Sequence, residues 1–99
     1  MIRQDISVDG YWDIIVCYDV YLGQDNKGFT HTDFRKKLSI VGIGKVNSKK
    51  QLINTIVHEA KHIQSHICKY YNVPEDGEQA AYLIGYIVMK MYKCFKILL

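Results

Sequence analysis

Three residues of this chain have the types and spacing for metal chemistry: His58, Glu59 and His62, in the run Val57-His58-Glu59-Ala60-Lys61-His62-Ile63. On an α-helix a four-residue step advances about 6 Å and turns about 40°, so both imidazoles leave one face and can share a metal ion. Glu59, roughly 100° further round, can then reach a water on that metal. This is the His-Glu-x-x-His pattern, in which the histidines bind zinc and the glutamate is the general base. It points to hydrolysis of a peptide bond by a metal-activated water, with Zn2+ as the cofactor and a peptide or protein as the substrate.

Such a site needs a long, well-started helix. Ser48-Lys49-Lys50-Gln51 matches a capping box, serine bonding forward and glutamine reaching back. Leu52, Ile56, Ala60, Ile63, Ile67 and Tyr70 recur at helical spacing and should face a sheet. The helix is predicted over 49–71, with Asn72-Val73-Pro74 ending it. Asp76 and Gln79 can start a second helix, from about Gly77 into the tail. In it Glu78, Tyr82, Gly85 and Met89 fall near one face, and Gly85 would let another helix pack closely.

The first half reads as strands. Ile2, Gln4, Ile6 and Val8 alternate with polar residues, and Asp9-Gly10 is a hairpin signal. From Tyr11 to Leu22, one face carries Trp12, Ile14, Val16, Tyr18, Val20 and Leu22. Residues 23–28 form a turn by composition, too poor in carboxylates for a calcium loop. Phe29 to Lys37 has a mixed pattern and stays unassigned, and Leu38 to Val46 looks like a third strand. The expected architecture is α+β: a small antiparallel N-terminal sheet packed on two C-terminal helices, as one domain over residues 1–99.

Composition agrees with a folded domain. The chain of 99 residues is 48% hydrophobic and 23% charged, enough for one modest core. A net charge of +3 with scattered lysines gives no clear nucleic-acid signal, and the eight tyrosines are read mostly as core or sheet packing. Cys17, Cys68 and Cys94, an odd count without paired spacing, argue for a reducing compartment. No secretory leader is expected at the start, and the apolar run Ala80 to Met89 is too short to span a bilayer. These readings together predict a soluble, cytoplasmic protein.

A catalytic zinc site usually takes a third protein ligand and leaves one position for water. Glu78 is favoured, because it begins the second helix after a short turn, and Glu75 is the reserve. His66 continues the stripe of His58 and His62 but lies about 12 Å along the helix axis from His58. Cys68 stands where some His-Glu-x-x-His proteins carry a third histidine, but Ser65 occupies the place of the glycine that arrangement needs. Cys68 is better read as core. His31 has no readable context, so a loop or sheet-surface position is the default.

His58-Glu59-Ala60-Lys61-His62 followed by Glu78-Gln79-Ala80-Ala81-Tyr82 resembles the gluzincin arrangement of zinc metallopeptidases, over residues 48–90. In its shortness the chain is similar to minimal zincin-like proteins of phages and mobile elements. The resemblance implies His58, His62 and Glu78 as zinc ligands, Glu59 as general base, and a sheet-edge strand that holds an extended peptide. The residues suggest Leu38 to Val46 for that strand, and Tyr82 as a donor to the developing oxyanion. No downstream residue matches the family's usual transition-state stabiliser.

The rival expectation is a non-catalytic zincin-like interaction domain or phage structural component. The amphipathic tail, with Lys90, Lys93 and Lys96 among Met89, Met91, Tyr92, Phe95, Ile97 and Leu98, would then dock on a protein partner, a second copy or a membrane surface.

Overall fold

The computed structural model describes residues 2–20 and 27–96. Four strands come first, β1 (Ile2–Val8), β2 (Trp12–Tyr18), β3 (Gly28–Asp33) and β4 (Leu38–Ile43), followed by two helices, α1 (Lys49–Tyr71) and α2 (Glu78–Lys96). The strands form one sheet in the order β1-β2-β4-β3. The fold is α+β, with an N-terminal sheet against two C-terminal helices, as expected.

The sheet is mixed. β1 and β2 form an antiparallel hairpin, turned at Asp9 and Gly10, both at positive φ (49° and 80°). After β2 the chain skips one position. β3 lies at the far edge and β4 returns into the gap, antiparallel to β3 but parallel to β2. No periodicity argument along single strands reveals this, because the side-chain period is two for either pairing direction. β4 is therefore interior, paired on both sides, and the strand suggested for holding a peptide has no open edge. The edges are β1 and β3, and β3 falls in the segment left unassigned from sequence.

One face of the sheet is covered. Trp12, Ile14 and Val16 on β2 and Val41 and Ile43 on β4 are buried, as the alternation along β2 predicts. β2 stops at Tyr18, where Asp19 turns left-handed (φ 63°), short of the expected Leu22, and β4 stops at Ile43, short of the expected Val46. Residues 21 and 22, most of the 23–28 turn, and Ile97 and Leu98 lie outside the described residues. On the sheet's other face the Phe29 ring covers Gly42, directly opposite across β3 and β4, so tightly that a Cβ there would overlap the ring.

α1 begins and ends where its signals place it. Ser48 Oγ accepts from Gln51 N–H (3.1 Å), and Gln51 Oε1 accepts from Asn47 N–H (2.6 Å), one residue before the position a standard capping box uses. Asn72 closes the helix in the left-handed conformation (φ 58°). Leu52, Ile56, Ala60, Ile63 and Ile67 are buried as expected, but Tyr70 stays 42% exposed.

α2 presents a different face from the one expected. Its buried residues are Ala80, Ile87, Met91, Cys94 and Phe95. Glu78, Tyr82, Gly85 and Met89 form the exposed side, and nothing lies within 4 Å of where a Gly85 Cβ would be. The reason is energetic: the Ile87, Met91 and Phe95 row buries far more apolar surface than a row containing glutamate and glycine. α1 lies against β3 and β4, and α2 against β1 and α1. Among the described residues no helix is long and apolar enough to cross a membrane.

Candidate functional site at the junction of α1 and β3

The helical repeat of α1 divides the motif between two sides. His58 and His62 are exposed, with ring centroids 5.0 Å apart at 75°. Glu59 is 4% exposed and points into the seam between α1 and the edge strand. There Thr30 Oγ1 donates to Glu59 Oε1 at 2.7 Å and lies 3.4 Å from the Glu59 carbonyl oxygen. Gly28 keeps the seam narrow: a Cβ at that position would stand 2.9 Å from Glu59 Oε2 and 3.0 Å from Thr55 Cγ2.

One turn beyond His62, His66 is half-buried, its ring edge-on to Phe34 at 5.5 Å. Its Nδ1 is 2.7 Å from Thr32 Oγ1, which is 2.8 Å from Ser39 Oγ, which accepts from Trp12 Nε1–H at 3.1 Å. A polar chain thus runs from the core indole to the helix that carries the motif. Burial, followed by the charges of His62 and Lys69, holds the His66 imidazole below its ordinary pKa. Thr30 and Thr32, two apart on β3, both face α1, so this strand anchors the helix at Glu59 and again at His66.

The two carboxylates considered as third ligand lie differently. Glu75, in the turn between the helices, accepts from Ser65 Oγ at 2.7 Å and has Lys61 Nζ 3.6 Å away. The Ser65 hydrogen bond, with the Lys61 charge behind it, lowers its pKa. Ser65 is the third residue after His62, so Glu75 is held against the same side of α1 as the imidazoles. Glu78 is exposed at the first residue of α2. Two imidazoles on adjacent turns fit a divalent cation such as zinc, and either carboxylate has the right chemistry to complete the set. Among the described residues no three His, Cys, Asp or Glu side chains are gathered closely enough to hold a metal.

The remaining candidates fall elsewhere. Tyr82, 75% exposed, lines a groove of about 640 Å³ with Val8, Tyr11, Ile67, Tyr71 and Tyr86, whose lining includes neither His58 nor His62. Cys68 is buried, as expected, and burial raises its thiol pKa. His31 is exposed on β3. Thr30 and Gly28, which seat Glu59, were not legible beforehand. The only available signal was the alternation of aromatic and β-branched residues in Phe29-Thr30-His31-Thr32.

Compared with protein-family models, with curated proteins and with solved structures, the chain has no match.

Proposed function

We propose that this chain is a small zinc metallopeptidase, with His58, His62 and a carboxylate of the α1–α2 connection as ligands and Glu59 as general base. The observation that carries the reading is the pair of solvent-exposed imidazoles on neighbouring turns of α1, their rings 5.0 Å apart. Of the carboxylates, Glu78 is the ligand by resemblance, and Glu75 is the one already held against the imidazole side of α1. Bound by these residues, zinc would supply a water of lowered pKa and polarise the scissile carbonyl.

The chain's own residues would do the rest. Glu59 takes a proton from the attacking water and returns it to the leaving amine. Thr30 donates to Oε1 and Oε2 lies against Gly28, so to act on that water Glu59 would have to turn out of this seat. β3 offers the backbone edge on which an extended peptide can add as a strand beside the helix. Metal analysis of the purified protein, with peptide-library cleavage in the presence and absence of chelator, tests the reading. Stoichiometric zinc and chelator-sensitive cleavage are expected. A metal-free preparation that gains neither zinc nor activity on zinc addition rejects it.

A second reading draws on the burial of Glu59. A carboxylate seated on Thr30 and beside Gly28 is also what a non-catalytic domain would use to clamp its edge strand to α1. In that reading a Glu59 substitution changes stability and there is no hydrolysis to lose.

A further inference from the structure

Some aromatic and basic residues that lie far apart in the sequence come together in space. Phe34, Tyr70 and Tyr71 surround the buried Trp12 edge-on, with centroids at 6.4, 5.6 and 6.3 Å, and Tyr70 and Tyr71 touch at 4.8 Å. Tyr11 extends the row, 5.5 Å from Tyr71. Each of these four outer rings keeps 38–42% of its surface in water, so the row is an exposed aromatic track at one end of the molecule. A core-packing role explains their inner edges and leaves the outer surfaces without a use.

Cations flank one end of the track. The turn between β3 and β4 is Phe34-Arg35-Lys36-Lys37, and Lys69 precedes Tyr70 on α1. Lys37 Nζ stands 5.7 Å from the Tyr70 ring centroid. Among the described residues none of these four cations is in an ion pair. Asp33 Oδ1 accepts from the backbone N–H groups of Arg35 and Lys36, which shapes the turn and leaves three cations around this one carboxylate. Asp13, next to Trp12, points to the opposite face of the sheet because neighbours on a strand alternate. Asp9 lies beyond Tyr11, at the end of the track away from the cations.

A polyanion with flat apolar faces matches this surface. We infer that the track of Phe34, Tyr70 and Tyr71, with Arg35, Lys36 and Lys37 beside it, binds single-stranded nucleic acid, bases against the rings and phosphates against the cations. A duplex offers the phosphates but keeps its bases stacked, and a lipid surface offers charge without flat rings to pair with the tyrosines. This surface is independent of the peptidase reading, because none of its residues is a proposed ligand or base.

Fluorescence anisotropy of the full chain, with a labelled thymidine oligonucleotide of about twenty nucleotides, tests the inference. Phosphate contacts from Arg35, Lys36, Lys37 and Lys69 predict an affinity loss of about fiftyfold between about 50 and about 200 mM salt. Arg35→Glu with Lys36→Glu, both side chains exposed, should abolish most binding while thermal unfolding shows the fold retained. Tyr70→Leu, which keeps apolar contact with Trp12 but loses the aromatic face, should weaken single-strand binding about tenfold. A duplex of equal length and vesicles of phosphatidylglycerol should bind at least about tenfold more weakly than the single strand. Equal affinity for duplex and single strand, binding to vesicles in preference to the oligonucleotide, or no binding at low salt would each overturn it.

Discussion

Thr30 and Glu59 are 29 residues apart in the chain, yet the threonine hydroxyl donates to the carboxylate at 2.7 Å. The contact ties the edge strand to the middle of the motif helix, and the two proposed roles of Glu59, base and clamp, make opposite demands on it.

Two substitutions separate those roles. Thr30→Val removes the donor and leaves a buried carboxylate oxygen unsatisfied, at a cost of about 1–3 kcal/mol of stability in urea unfolding. Glu59→Gln keeps an acceptor for Thr30 and should fold with zinc bound, but should not cleave peptide. Cleavage retained in a clean Glu59→Gln preparation would remove Glu59 as the base.

The third ligand is decided by two parallel variants. Glu75→Gln and Glu78→Gln, each titrated with zinc against a competing chelator, should differ: the one that lowers affinity at least about tenfold marks the ligand. His58→Ala and His62→Ala should both lose zinc. Full affinity in both carboxylate variants would mean that neither connection residue coordinates the ion.

Two glycines should respond in opposite senses. At Gly28 a methyl group meets Glu59 and Thr55 at 2.9–3.0 Å, so Gly28→Ala should destabilise by about 1–3 kcal/mol. At Gly85 it meets nothing within 4 Å on an exposed helix, and Gly85→Ala should stabilise by about 0.5–1 kcal/mol. Thermal unfolding of both variants checks the pair. A destabilised Gly85→Ala would show that this face of α2 is covered in solution.

His66 should make stability depend on pH. Its burial lowers the folded-state pKa below the ordinary 6.5, so the unfolded chain takes up the proton first. Stability should therefore fall as pH drops below 6.5, and level off once the folded form is also protonated. Urea midpoints of chelator-treated protein at pH about 7.5 and about 5.5 measure this. His66→Asn, which can still bond Thr32, should show a smaller difference; an unchanged difference would assign the dependence to other groups.

Local signals carried α1 except at Tyr70, because the Ser48 cap, the apolar row from Leu52 to Ile67 and the Asn72 stop each act within a few residues. They also supplied the burial of β2 and the placement of His58 and His62 on one face of α1, which follow from the strand and helix periods alone. They failed for β3, a short edge strand of mixed polarity, where pairing with β4 decides the conformation instead of the residues' own pattern.

What the sequence determined by itself is therefore the helix, its His-Glu-x-x-His spacing and the α+β class. Tertiary structure alone decided that β2 and β4 run parallel, that β3 forms the edge beside Glu59, and that α2 buries Ala80, Ile87 and Met91 while Glu78, Tyr82 and Gly85 face solvent. It also decided that Phe34, Tyr70, Tyr71 and Tyr11 form one exposed row. The physical reason is common to all four. A side-chain period tells which residues share a face, but which face is covered depends on the competition for apolar burial among segments distant in the chain.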